Sequence, residues 1–215
     1  MTRSRDARDG AEHAPAVGVV LAGGASTRFG APKGLATVRG VRIVDRVAAA
    51  LRDATPHLRL AANAPEAAEW LPGVPVIRDA MPGGGGLRGV HAALARERRP
   101  VLVVAWDMPF VSGALLRDLV ARLARTNALA AVPVSASPVG LEPFCACYAP
   151  ACLAPLEAAL AGGHAGAARF VRSLPAVAWM TESDVAAFGD PARLFFSVNT
   201  PADLARAEAM AAPLV

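Results

Sequence analysis

A chain of 215 residues, 54% hydrophobic and 19% charged, is long enough to bury a full core and too apolar for a disordered polymer. Its formal charge of +4, from 22 basic and 18 acidic residues, suits an anionic ligand, yet no Lys/Arg block interleaved with aromatics marks a nucleic-acid surface. No apolar run reaches the roughly 18 residues of a membrane span, so the sequence reads as a soluble cytoplasmic protein that binds neither nucleic acid nor membrane.

The first fourteen residues are charged and lack the apolar stretch of a signal peptide; they are expected to be a flexible tail. Residues 15–215 are expected to form one domain. The apolar run Ala16–Leu21 reads as a buried parallel strand. It empties into Gly23-Gly24-Ala25-Ser26-Thr27-Arg28-Phe29-Gly30-Ala31-Pro32-Lys33. Glycines let backbone amides approach anionic oxygens, and Arg28 and Lys33 add positive charge, which is the chemistry of a polyphosphate cradle. The spacing is not that of a Walker A loop, because five residues separate Gly24 from Gly30 and Ala31 follows in place of Lys.

Downstream, Ile43–Leu51 has helical spacing of Val44, Val47, Ala48 and Leu51. Leu58–Ala62 is a short strand ending at Asn63, with a brief helix after Pro65. Val74–Ile77 is a third strand, followed by Asp79 and a glycine run from Gly83 to Gly86, and Val90–Arg96 continues as a helix. Val101–Ala105 is the clearest strand and ends at Trp106-Asp107-Met108-Pro109. Ser112 is placed as the N-cap of a helix running to Arg125. Strands follow at Leu129–Val134 and Phe144–Tyr148, then helices at Pro150–Ala161 and Ala167–Leu174. Strands at Val177–Met180 and Phe195–Val198 and a helix over Pro201–Ala211 complete the pattern.

Strands alternating with helices predict a three-layer α/β/α sandwich on a mostly parallel, Rossmann-like sheet. Ligands then bind beyond the carboxyl ends of the strands. Gly23, Asn63, Asp79, Asp107 and Asn199 each follow an apolar strand, so all five are expected to line one crevice. A carboxylate at Asp107, at the end of the strongest strand, can hold a hard cation such as Mg²⁺; it can equally be a turn residue. Asn63, Asp79 and Asn199 taken singly are also ordinary turn formers.

Two other patterns carry less. Gly84-x-Gly86-x-x-Gly89 fits the dinucleotide fingerprint literally, but it does not follow its strand tightly and is not in the first strand–helix unit. Cys145, Cys147 and Cys152, even with His164, match no zinc spacing and read as buried thiols of a reducing compartment.

At Leu21-Ala22-Gly23-Gly24-Ala25-Ser26-Thr27-Arg28-Phe29-Gly30 and Lys33 the chain resembles the nucleotidyltransferases. Gly85–Leu94, Asp107-Met108-Pro109-Phe110, Glu142-Pro143-Phe144 and Val198-Asn199-Thr200-Pro201-Ala202-Asp203-Leu204 resemble the molybdenum cofactor guanylyltransferase branch, in order. The resemblance implies the nucleotide-diphospho-sugar transferase type of fold and transfer of GMP from GTP to the phosphate of molybdopterin. It assigns Arg28, Lys33 and Asp107 to catalysis, and Asp107 and Asn199 to Mg²⁺. Nucleotide contacts fall to Leu21, Ala22, Gly23, Gly24, Lys33, Asn63, Asp79, Gly85, Gly89 and Asp107. Transient contact with cofactor-delivering proteins or molybdoenzymes is also implied. Pro32, Trp106 and Ser197 stand where the branch often has an acidic, a small and an Asn residue. Other readings of the same parts are a cytidylyltransferase, a sugar-phosphate nucleotidyltransferase or a non-catalytic nucleotide-binding protein.

Overall fold

The computed structural model describes residues 15–23, 32–79, 85–163 and 166–212. The charged tail at residues 1–14 lies outside them, as do Gly24 and Arg28 of the opening loop. Among the described residues no helix is long and apolar enough to cross a membrane.

Strand β1 (Val17–Leu21) is fully buried and lies between β4 (His57–Ala61) and β6 (Val101–Ala105), parallel to both. β5 (Val76–Ile77) extends the sheet beyond β4. On the other side β8 (Cys145–Tyr148) pairs antiparallel with β6 and with β7 (Ala130–Pro133), and β9 (Val177–Met180) closes the row parallel to β7. The order is β5-β4-β1-β6-β8-β7-β9. β2 (Thr37–Val38) and β3 (Val41–Arg42) form a separate hairpin, turned through Arg39 and Gly40 at φ 51° and 73°.

Alternation along the strands divides the core in two. Val20, Leu60, Leu102 and Val104 face one side, packed with α1 (Ile43–Ala54) and α4 (Gly113–Arg125). Val17, Val19, Leu21, Val101 and Val103 face the other, packed with α3 (Gly86–Glu97), α5 (Leu153–Ala161) and α6 (Ala167–Ser173). Two apolar faces on one sheet, each roofed by helices, make the expected three-layer sandwich. The other helices are α2 (Ala67–Trp70), α7 (Glu182–Ala186), α8 (Pro191–Leu194) and α9 (Pro201–Met210).

Several expectations needed correction. Phe195–Val198 is not a strand, because the Phe195 and Phe196 amides donate back to Pro191 and Arg193, closing the end of α8. The segment instead crosses the end of β6, where the Val198 amide donates to the Asp107 carbonyl at 2.9 Å. The helix expected from Val90 begins four residues earlier, inside the glycine run. Ser112 does sit at the N-cap of α4, but its side chain makes no capping bond. The hairpin and helices α7 and α8 have no counterpart among the elements read from the sequence.

Helix α1 rides close over β1 at Gly18. A Cβ there would lie 2.6 Å from Thr55 Oγ1 and 3.2 Å from Leu51 Cβ. Thr55 is buried and its hydroxyl reaches the Leu51 and His57 carbonyls, so it has little room to yield. Gly18→Ala is therefore expected to destabilise the fold by about 1–3 kcal/mol, measured by urea unfolding.

Candidate active site

The carboxyl ends of β1, β4, β5 and β6 open on a cavity of about 680 Å³. Leu21, Ala22 and Gly23 line it from β1, Asn63 from β4, Asp79 from β5, and Trp106 and Asp107 from β6. Lys33, Gly85, Gly86, Gly89 and Phe144 complete the wall. Every described residue expected to contact the nucleotide is in this lining. Asn199 is not, but it joins the same cluster through Lys33.

β1 and β6 are hydrogen-bonded neighbours with Leu21 opposite Ala105, so the segments leaving their ends start side by side. Lys33 opens a short 3-10 turn, Lys33–Leu35, and its ammonium forms an ion pair with Asp107 Oδ2. The same nitrogen donates to Asn199 Oδ1 at 2.7 Å. Asn199 is held there by the start of α9, a capping box in which Thr200 Oγ1 accepts from the Asp203 amide while Asp203 Oδ2 accepts from the Asn199 and Thr200 amides. The Asp107 side chain is only 10% exposed, and its Oδ1 is buried without a hydrogen-bond partner among the described residues.

The glycines of α3 have two different reasons. Gly85 sits at φ 106°, a conformation open to glycine. At Gly86 a Cβ would lie 2.4 Å from the Phe144 ring, so absence of a side chain lets the start of α3 lie against that ring just ahead of β8. The helix consequently begins at the cavity wall, presenting the free amides and positive end of its dipole. At the rim, Asn63 and Asp79 bond to each other: Asn63 Nδ2 donates to the Asp79 carboxylate at 2.9 Å and the Asp79 amide to Asn63 Oδ1 at 2.8 Å. Arg78 adds bonds to the Asn63 and Ala64 carbonyls, locking the ends of β4 and β5 together.

With the crevice defined, the relatives can be placed on it. Residues 18–178 match the MobA-like NTP transferase domain. The chain belongs to the MobA-like NTP transferase family. A relative from Pelotomaculum thermopropionicum, named a probable molybdenum cofactor guanylyltransferase, is 34% identical over 91% of this chain and 93% of its own length. One from Chloroflexus aggregans with the same name is 33% identical over 87% and 90%. The crystal structure of molybdopterin-guanine dinucleotide biosynthesis protein A from Archaeoglobus fulgidus superimposes with a TM-score of 0.77, at 28% identity, covering 90% of this chain and 97% of that one. The fold is thus of the nucleotide-diphospho-sugar transferase type, and the protein is a nucleotidyltransferase.

Against this MobA-like frame, Trp106 is the bulky departure noted in the sequence, and the structure shows what accommodates it. Its ring lies 4.8 Å from that of Trp70 and directly on Gly34, where a Cβ would come within 2.3–2.5 Å of the indole. Gly34, Trp70, Gly86 and Phe144 were not singled out as site residues. Gly34 follows Lys33 and Gly86 ends a glycine run, but only the folded contacts give either a reason.

Glu142 accepts from Ser135 Oγ at 2.7 Å, and the Ser135 and Ser137 hydroxyls lie 2.7 Å apart. Burial raises the Glu142 pKa above the usual carboxylate range; the serine hydrogen bonds oppose this, and the Asp107 charge adds to it. The three cysteines are buried and unpaired with each other. Burial raises the thiols of Cys145 and Cys147 far above the usual range and pushes Cys152 up to about 12, so they remain protonated. No group of three His, Cys, Asp or Glu able to hold a metal occurs among the described residues, and His164 lies outside them.

Two outcomes follow from these contacts. Gly34→Ala is expected to cost about 1–3 kcal/mol through collision with the indole. Trp106→Leu in the same background should recover part of it, giving non-additivity in a double-mutant cycle by chemical denaturation. For Glu142, a folded-state pKa above the unfolded value contributes stability at low pH that is lost as pH rises through the folded pKa. Glu142→Gln should therefore be more stable than wild type at pH 7–8 and show a flatter melting profile between pH 4 and 8. An unchanged profile would remove this account of the site.

Proposed function

We propose that this nucleotidyltransferase transfers GMP from GTP to the terminal phosphate of molybdopterin, releasing pyrophosphate. The observation that carries the proposal is the convergence of Lys33, Asp107 and Asn199 beside a cavity walled by glycines and a helix N-terminus. The names of the two curated relatives supply the choice of GTP and molybdopterin.

The donor set fits a divalent cation of the Mg²⁺ type. Asp107 Oδ1 is a buried carboxylate oxygen lacking a described partner, and Asn199 Oδ1 is a neutral oxygen beside the same carboxylate. Mg²⁺ is usually held by one or two carboxylates, with phosphates and water filling its remaining positions, so this sparse set suits it. When bound, the ion supplies charge neutralisation at the phosphates.

The chain's own groups divide the rest of the work. The Gly23 amide, with Gly24 of the neighbouring loop, binds phosphate oxygens, and the N-terminus of α3 adds positive potential at Gly85 and Gly89. Asn63 and Asp79 contact the nucleoside from the rim. Lys33 and Arg28 offset the negative charge that collects on the leaving pyrophosphate. An oxygen of the acceptor phosphate attacks the α-phosphorus, and the bond from that phosphorus to the oxygen bridging the β-phosphate breaks. The acceptor phosphate is already ionised near neutral pH, so no side chain has to remove a proton.

Pyrophosphate release measured with GTP, CTP, ATP and UTP, each with and without molybdopterin and with Mg²⁺ present, tests the reading. Release is expected with GTP only when molybdopterin is added. Release with CTP alone would make the protein a cytidylyltransferase, and tight GTP binding without release would make it a nucleotide-binding protein. Lys33→Ala and Asp107→Ala are each expected to lower turnover by about a hundredfold or more while remaining folded.

A further inference from the structure

Two of the oxygens available to a divalent ion at this crevice, Asp107 Oδ2 and Asn199 Oδ1, are already engaged by a side chain, and among the described residues only Asp107 Oδ1 is left. Lys33 Nζ pairs with Asp107 Oδ2 and donates to Asn199 Oδ1 at 2.7 Å, and the Lys33 and Asp107 side chains are 15% and 10% exposed. One nitrogen therefore occupies the position shared by the carboxylate and the amide oxygen, the two groups that would hold a metal ion. Two cations cannot both occupy it, and their repulsion is strong where little water screens it.

The lysine's base and its arm differ in freedom. Its backbone lies in the 3-10 turn, fixed by the Leu35 amide donating to the Pro32 carbonyl at 2.9 Å and the Ala36 amide to the Lys33 carbonyl at 3.2 Å. The indole of Trp106 lies against Gly34, the next residue, and leaves the turn no space to move toward it. Only the four-carbon stem, with its rotatable bonds, can carry the charge elsewhere. The nearest chemistry able to draw it off is a polyanion in the cavity.

We infer that Lys33 is the resident cation of the Asp107–Asn199 site, and that a divalent ion takes its place only when the phosphates of a nucleotide draw the ammonium away. This rests on the nucleotidyltransferase reading for the identity of the polyanion. The protein without nucleotide would then have little affinity for free metal, and metal and nucleotide would enter together. Lys33 would serve first as occupant of the site and then as a phosphate ligand.

The inference makes a residue needed for turnover an inhibitor of metal binding, and that sign can be tested. Mn²⁺ alone is titrated into wild type, Lys33→Met and Lys33→Ala, with free Mn²⁺ read by electron paramagnetic resonance and folding by far-UV circular dichroism. Both variants are expected to bind Mn²⁺ at least tenfold more tightly than wild type. Adding Asp107→Asn to Lys33→Met is expected to remove the gain. Equal or weaker binding in whichever lysine variants are folded overturns the inference, as does a gain that survives Asp107→Asn. The titration contains neither nucleotide nor acceptor, so a failure of GTP and molybdopterin as substrates leaves its result standing.

Discussion

A carboxylate almost out of contact with water, at Asp107, is the constraint around which this crevice is arranged. An ion taken from water without a partner costs several kcal/mol even after the protein relaxes. Asp107 meets that demand by pairing with Lys33, and the pairing depends on the order of the sheet. β1 and β6 are neighbours in register, so the loop leaving one can return a lysine to the end of the other. The segment ahead of α9 is then tied on by the bond from the Val198 amide to the Asp107 carbonyl. Three regions far apart in sequence thus meet at one residue; displacing the lysine would leave the carboxylate's charge unmatched, and displacing the segment ahead of α9 would remove hydrogen bonds to neutral groups from both.

The indole of Trp106 carries this constraint into the core. It lies next to Asp107 in sequence, against Gly34 in space and beside Trp70. Its exposure is 3%, so the turn bearing Lys33 rests on packed aromatic surface. A larger side chain beside the carboxylate is tolerated because the facing residue is glycine. The two positions make sense only as a pair, since the indole fills the space that a side chain at position 34 would take.

The sequence reveals this architecture unevenly, for physical reasons. β1 and β6 are continuous apolar runs because both faces of the sheet are covered, and such runs are legible without any partner. The crevice was legible for a related reason: polar residues placed directly after apolar runs must emerge at the same end of a parallel sheet. Direction is different. Nothing in Cys145–Tyr148 announces that β8 runs against its neighbours, since a buried strand has the same composition either way. Phe195–Val198 has the composition of a strand but spends its amides on α8 and Asp107, a choice fixed by tertiary neighbours. The Arg39-Gly40 hairpin lacks the usual Asn or Asp, so its turn signal was weak. Gly34 and Gly86 are glycines for what touches them, and the touching residues lie far along the chain.

The reversed strand β8 has its own consequence. Because it enters the sheet at the crevice end, the connection from Pro133 to Phe144 crosses no helical layer and lies wholly on that side. Its isolated bridge, Val134 with Leu141, is local, while the Val134 amide donates to the Met180 carbonyl and the Arg172 guanidinium to the Val139 carbonyl. A change of length here would alter the connection without requiring any strand to change its direction. One reversed strand thereby keeps both ends of the connection on the side of the sheet where Asp107 emerges.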